Sequence, residues 1–115
     1  MLDYEKLEVY QKARGLNKQI FLRIVSDHDI DPYFRDQIKR ATISILLNLS
    51  EGSGRESLPD KKHFFIMAKS SCLEVSSVLL IISDIYSDKR KIVDELYPFT
   101  VEVVKMISGL IRSLR

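Results

Sequence analysis

The sequence predicts an all-α fold, an up-and-down four-helix bundle, on three observations. Apolar residues recur every three and four positions along nearly the whole chain. Three short polar breaks carry the chemistry of helix ends. No stretch alternates apolar and polar residues for long enough to suggest a strand. At 115 residues and 45% apolar content, the chain holds material for one core. It shows no repeat, low-complexity segment or long linker, so residues 1–115 are expected to form a single domain.

The first helix is expected over about residues 4–26. Val9, Ala13, Leu16, Ile20 and Ile24 form its stripe, and Leu7, Tyr10, Phe21 and Val25 widen it. The polar run Ser26 to Asp31 ends it. Asp31-Pro32 opens the second helix, about 32–53, because Asp caps a free N–H and Pro at the first helical position sacrifices no donor. Phe34, Ile38, Ala41 and Ile45 step by four, three and four, which places Asn48 and then Gly52 next on the buried seam. Gly52-Ser53-Gly54 is expected to close the helix in the left-handed conformation.

Ser57-Leu58-Pro59-Asp60 resembles a capping box with Asp as its acid and starts the third helix, about 58–87. There Phe65, Ala68, Cys72, Val75, Leu79, Ile82 and Tyr86 hold a heptad seam. Ser87-Asp88 is the last break, with Asp88 as N-cap of a fourth helix over about 89–114. This helix carries two adjacent seams, one through Leu96, Phe99, Val103 and Met106 and one through Val93, Thr100, Val104 and Ile107. The resulting wide apolar face suits packing against another subunit or protein. Pro98 inside it is expected to kink the rod. Helices of this length joined by short turns must run back along one another, giving a bundle about 35 Å long.

Charge excludes little, since a net +2 falls short of what announces a nucleic-acid binder by itself. A lone cysteine, Cys72, rules out an internal disulfide, and with His28 and His63 far apart no metal-ligand spacing appears. No metal and no cofactor are expected. Cys72 and His63 fall on opposite sides of the third helix, so they do not form a nucleophile and base. The opening MLDYEKLEVYQKAR is neither signal peptide nor membrane anchor, and the expected location is cytoplasmic, with no membrane partner.

The segments Leu7 to Ala13, Gln37 to Ala41, Ser44-Ile45, Asn48 to Gly52, Arg55, and Ala68 with Ser71 and Glu74 together resemble a known family. These are the four-helix bundle proteins encoded in intervening sequences of bacterial 23S ribosomal RNA genes, and the resemblance runs almost end to end. It implies a left-handed bundle that assembles into a ring-shaped homopentamer, in a family described as rRNA-associated whose molecular role is unassigned. A more distant likeness is to the accessory variability protein of diversity-generating retroelements, a pentameric barrel with a basic surface. Leu47 and Ser50, where small residues are common, and Cys72, where Leu or Ile often sits, depart from the pattern as packing variations.

Two groups of polar residues are candidate sites. Asn48, Glu51, Ser71 and Glu74 are expected to meet where the second and third helices join, fixing helix register as a buried amide does in coiled coils. An inter-subunit role is an alternative. Glu51 and Glu74 as catalytic carboxylates lack a histidine, metal cluster or nucleophile to work with, so no enzyme is expected. Lys39, Arg40, Arg55, Lys61 and Lys62 are the candidate nucleic-acid contacts. For Lys39, Arg40 and Arg55 the competing role is salt bridging, and Lys61 and Lys62 flank a helix N-terminus that suits an anion. Lys89 to Lys91 are read as a solvated face. No aromatic is interleaved as a stacking platform, so binding to RNA or a nucleoprotein would be phosphate-led. The alternative function is a structural protein–protein module with no nucleic-acid binding.

Overall fold

The computed structural model describes residues 1–114, and it is all-helical. A 3-10 turn, Asp3–Lys6, leads into α1, Glu8–Ile20. A π-helical turn, Phe21–Val25, extends α1, with the Ser26 N–H reaching the Phe21 carbonyl at 3.1 Å. Then come α2, Pro32–Gly54, α3, Leu58–Ile85, a 3-10 turn at Ser87–Lys89, and α4, Arg90–Arg112. The expected first helix is therefore three segments of differing pitch. Sequential helices pack side by side and α1 closes the bundle against α4, which leaves α1 and α3 diagonal to each other. The long dimension is 45 Å rather than about 35 Å, because α3 alone runs 28 residues.

Helix starts follow the expected chemistry in two of three places. The Asp31 carboxylate accepts the Tyr33 N–H at 2.8 Å with Pro32 in the first turn, and the Ser57 hydroxyl accepts the Asp60 N–H at 3.2 Å with Pro59 behind it. Asp88 does not cap α4. The 3-10 turn delays the helix start so that Lys89, one residue after Asp88, stands at the cap position, and the Asp88 carboxylate lies 3.6 Å from the Lys89 ammonium instead. α4 continues unbroken through Pro98.

The C-terminus of α2 corrects a second expectation. No glycine has a positive φ among the described residues, and α2 runs through Gly54 before Arg55 turns extended. Gly52 serves contact, not turning: a Cβ there would sit 2.7 Å from the Phe65 ring. What closes the helix is Lys61, whose ammonium donates to the Ser53 carbonyl at 2.9 Å and the Gly52 carbonyl at 3.5 Å, where a cation also complements the helix dipole.

The core lies along four seams. Six of the seven expected α3 positions, Phe65 to Ile82, are buried, and Tyr86 is half-buried. On α2 the seam passes through Ile38, Thr42, Ile45, Leu49 and Gly52, with Ala41 alongside. Leu49, fully buried, takes the place expected for Asn48, which sits half-buried at the margin. The physical reason is that a large apolar side chain gains more from the centre of the stripe than an amide loses at its edge. On α4 the bundle buries a stripe drawn from both seams, Val93, Leu96, Thr100, Val103 and Ile107, and leaves the flanking residues half-covered.

Ile30 completes the core from a loop. It is the one apolar residue of the polar run and is fully buried under the end of the bundle. Its loop is held from three directions. The Asp31 N–H donates to the Tyr86 hydroxyl at 2.9 Å, and Arg35 donates to the Ile30 carbonyl at 2.9 Å and the Val25 carbonyl at 3.4 Å. Lys89, only 12% exposed, meets Asp27 at 2.7 Å and Asp29 at 3.7 Å.

Lys89 is thus a clamp between the two corners of one bundle end, not part of a solvated face. Its hydrogen bond holds the Asp27 carboxyl below the ordinary 3.8, and Asp27 holds the Lys89 ammonium above the ordinary 10.5. Asp27 therefore contributes stability in full above pH 3.8 and loses it as pH falls through its lowered folded value. Lys89 contributes in full below pH 10.5 and loses its share as pH rises through its raised folded value. Asp27→Asn should lower Tm at neutral pH, and the gap to wild type should close as pH drops below that carboxylate range. A gap of constant size from pH 7 to pH 3 (about four units spanning the ordinary carboxyl range) would show that the pair does not hold the corner.

Candidate nucleic-acid interface

The five expected cations do not form one surface. Lys39 and Arg40 are exposed on the first half of α2, while Arg55, Lys61 and Lys62 gather around the α2–α3 turn. Fifteen residues of helix separate Arg40 from Arg55, about 22 Å along the axis. At the turn, two of the three cations are occupied. Lys61 caps α2, as described above. Arg55 donates to Glu51 at 3.1 Å, one turn back, and its guanidinium lies 4.6 Å from the Phe64 ring centroid. Arg55 and Glu51 also line a shallow groove of about 440 Å³ with Tyr4, Ser50 and Gly54. Lys39, Arg40 and Lys62 are exposed, and among the described residues they form no ion pair.

A second groove of about 440 Å³ adds two cations that the sequence reading did not single out. Arg14 and Lys18 line it with Tyr10, Gln11, Gly15, Asn17 and Leu46, along the junction of α1 and α2. Arg14 bonds to Gln11 at 3.2 Å, and no carboxylate lines the groove. The available signal was spacing: Arg14 and Lys18 stand four apart on one helix face, with no acid three or four residues from either. Leu46 lies seven residues past Lys39, two turns along the same face of α2 and about 10 Å away, so this groove stands near Lys39, while Arg40 is about 120° round the helix from Leu46.

The expected polar cluster is also regrouped. Asn48 donates to the Ser44 carbonyl and to the Ser44 hydroxyl, both at 2.9 Å, and Ser71 reaches across from α3 to the same hydroxyl at 2.9 Å. Ser44 is the hub. It joins α2 to α3, which is the register-fixing link expected of Asn48 and Ser71. Glu51 is drawn away by Arg55, and Glu74 stays exposed on α3, so the two acids do not form a carboxylate pair. Ser44 was legible only as the residue one turn before Asn48.

Cys72 sits fully buried on the α3 seam, 3.6 Å from the Thr100 carbonyl, and burial pushes its thiol up to about 12. Among the described residues no group of His, Cys, Asp and Glu is placed to hold a metal ion.

A family model described as 23S rRNA-intervening sequence protein matches residues 5–109. Among solved structures, the chain is similar to a protein of unknown function from the S23 ribosomal protein family of Bacteroides thetaiotaomicron. The TM-score is 0.78 at 19% identity, over 90% of this chain and 95% of that one. Identity that low shows a shared fold. No curated protein matches the chain.

Proposed function

The chain belongs to the 23S rRNA-intervening sequence protein family, and from that premise we propose a non-catalytic, cytoplasmic accessory protein that self-associates as a ring of five and contacts RNA or a nucleoprotein. The observation that carries the RNA reading is the pair of unneutralised cations, Arg14 and Lys18, in a groove beside the face of α2 that carries Lys39. Cations without carboxylate partners are free to replace the counterions of phosphates, and a ring repeats each set around its axis. The binding is phosphate-led and tolerant of sequence. Arg55 and Lys61 contribute to the fold rather than to this surface. The inert Cys72 and the dispersed acids support a role without catalysis.

Fluorescence anisotropy with a structured RNA at low salt tests the reading. Wild type should bind with a steep salt dependence. Arg14→Gln combined with Lys18→Gln should make the slope of log K against log[salt] shallower by about 1 to 2, and Lys39→Gln with Arg40→Gln should do the same. Absence of binding at low salt would overturn it. It would favour a purely structural protein–protein module, a reading that the exposed apolar residues of α3 also support.

A further inference from the structure

α3 is apolar on two sides, and the bundle covers only one of them. Away from the core it presents Ile66, Met67, Leu73, Leu80, Ile81 and Ile85, each between 39% and 55% exposed. Ile66, Leu73 and Leu80 are spaced by seven, and Met67 and Ile81 flank them two heptads apart, with Ser70 and Ser77 between. That is the spacing of a second coiled-coil seam, parallel to the one spent on the core. From Phe64 to Ser83 the only charges are Lys69 and Glu74. An uncharged row about 28 Å long suits an apolar partner and offers the phosphates of a nucleic acid no cations. By length and composition α3 would also pass as a membrane span, but its inner seam, Phe65 to Ile82, is buried in this bundle.

The partner's chemistry is suggested by the opposite side of the same molecule. Leu7, Val9, Met106 and Leu110, with Glu8 at the edge, line an apolar groove of about 260 Å³ between the start of α1 and the end of α4. Because α1 is diagonal to α3, one copy's row cannot reach its own groove. The axial levels agree. Tyr4 lines the groove at the α2–α3 turn, so α1 begins, α3 begins and α4 ends at the same end of the bundle. A neighbour standing parallel therefore brings Ile66 and Met67 level with the groove.

We infer that the outer row of α3 packs into the α1–α4 groove of a second copy of this chain, head to tail. This rests on the self-association proposed above and adds to it which surfaces meet. The two surfaces differ, so each added copy exposes one fresh row and one fresh groove, and the series ends only by closing into a ring.

The test uses full-length protein in size-exclusion chromatography with light scattering, with helicity followed by circular dichroism. Wild type should be oligomeric, while a row variant (Ile66→Asp with Leu73→Asp) and a groove variant (Leu110→Asp) should each be folded monomers. Mixed in equal amounts they should form a heterodimer that grows no further, since one intact row meets one intact groove. Ser77→Arg, at an exposed position with no core contact, serves should the aspartates unfold the chain, and it should weaken assembly at least about tenfold. An oligomeric wild type whose row variant and Ser77→Arg assemble undiminished would overturn the inference while leaving self-association standing. A groove variant that still assembles would show row packed on row and would also overturn it. A monomeric wild type would defeat both, and its sedimentation with neutral phosphatidylcholine vesicles would give the row to a membrane surface instead.

Discussion

Ile30→Ala should destabilise the bundle by about 3 kcal/mol, a fall in Tm on the order of 10 °C. Loop residues seldom carry such a cost, because a loop can sag into the space that a truncated side chain vacates. This one is prevented from doing so. Ile30 is fully buried, its carbonyl is held by Arg35, the next N–H is held by the Tyr86 hydroxyl, and the flanking acids are held by Lys89. A rigid frame around a removed side chain keeps the cavity open, and the penalty rises with the volume that stays empty. Urea denaturation of the variant measures it. A loss below about 1 kcal/mol, the cost of a site that collapses, would show that the loop is not pinned as described.

Gly52→Ala should cost about 2 kcal/mol, although alanine is intrinsically the better helix former. The added methyl would stand 2.7 and 2.8 Å from two Phe65 ring carbons and 3.0 Å from the Phe64 Cβ. Phe65 is itself a core residue, 3% exposed, so its ring has nowhere to swing. Overpacking of this kind typically costs about 1 to 3 kcal/mol, which outweighs the propensity gain of up to about 1. Two companions isolate the cause. Gly54→Ala, with nothing within 4 Å of the new Cβ, should be neutral or mildly stabilising. Phe65→Leu should relieve the clash, so that the double variant is more stable than the sum of the single losses predicts. Additive losses would refute the ring contact.

These two residues also show where reading the sequence reached its limit. Periodicity located α3's inner seam residue by residue, and Asp31-Pro32 and Ser57 marked two helix starts, because those signals are local and depend on the chain's own spacing. Gly52 was legible as special but not as a contact. A glycine near a helix end looks the same whether it frees φ or admits a neighbouring ring. Ile30 was hidden in a polar run, since its burial depends on the far corner of the bundle folding over it. Asn48 and Leu49 stand about 100° apart on either side of the stripe's axis, and only packing decides which is drawn inward. The grouping of the candidate cations was hidden for a similar reason. Sequence counts charges but does not show that Arg55 and Lys61 are committed to Glu51, Phe64 and the α2 carbonyls, or that Arg14 and Lys18 share a groove. On α3 the sequence reading found the inner seam alone, because the outer row is interrupted by Ser70 and Ser77 and spacing does not tell an uncovered apolar row from a covered one.

Cys72 gives the bundle a built-in reporter. With its thiol sealed at the middle of α3 and held protonated at ordinary pH, alkylating reagents reach it only when the helices part. Its labelling rate therefore measures how often the core opens, in the same way as exchange of a deeply protected amide. Any cysteine introduced on the surface would react first and alone, so dyes and cross-linkers can be placed there without removing the native thiol.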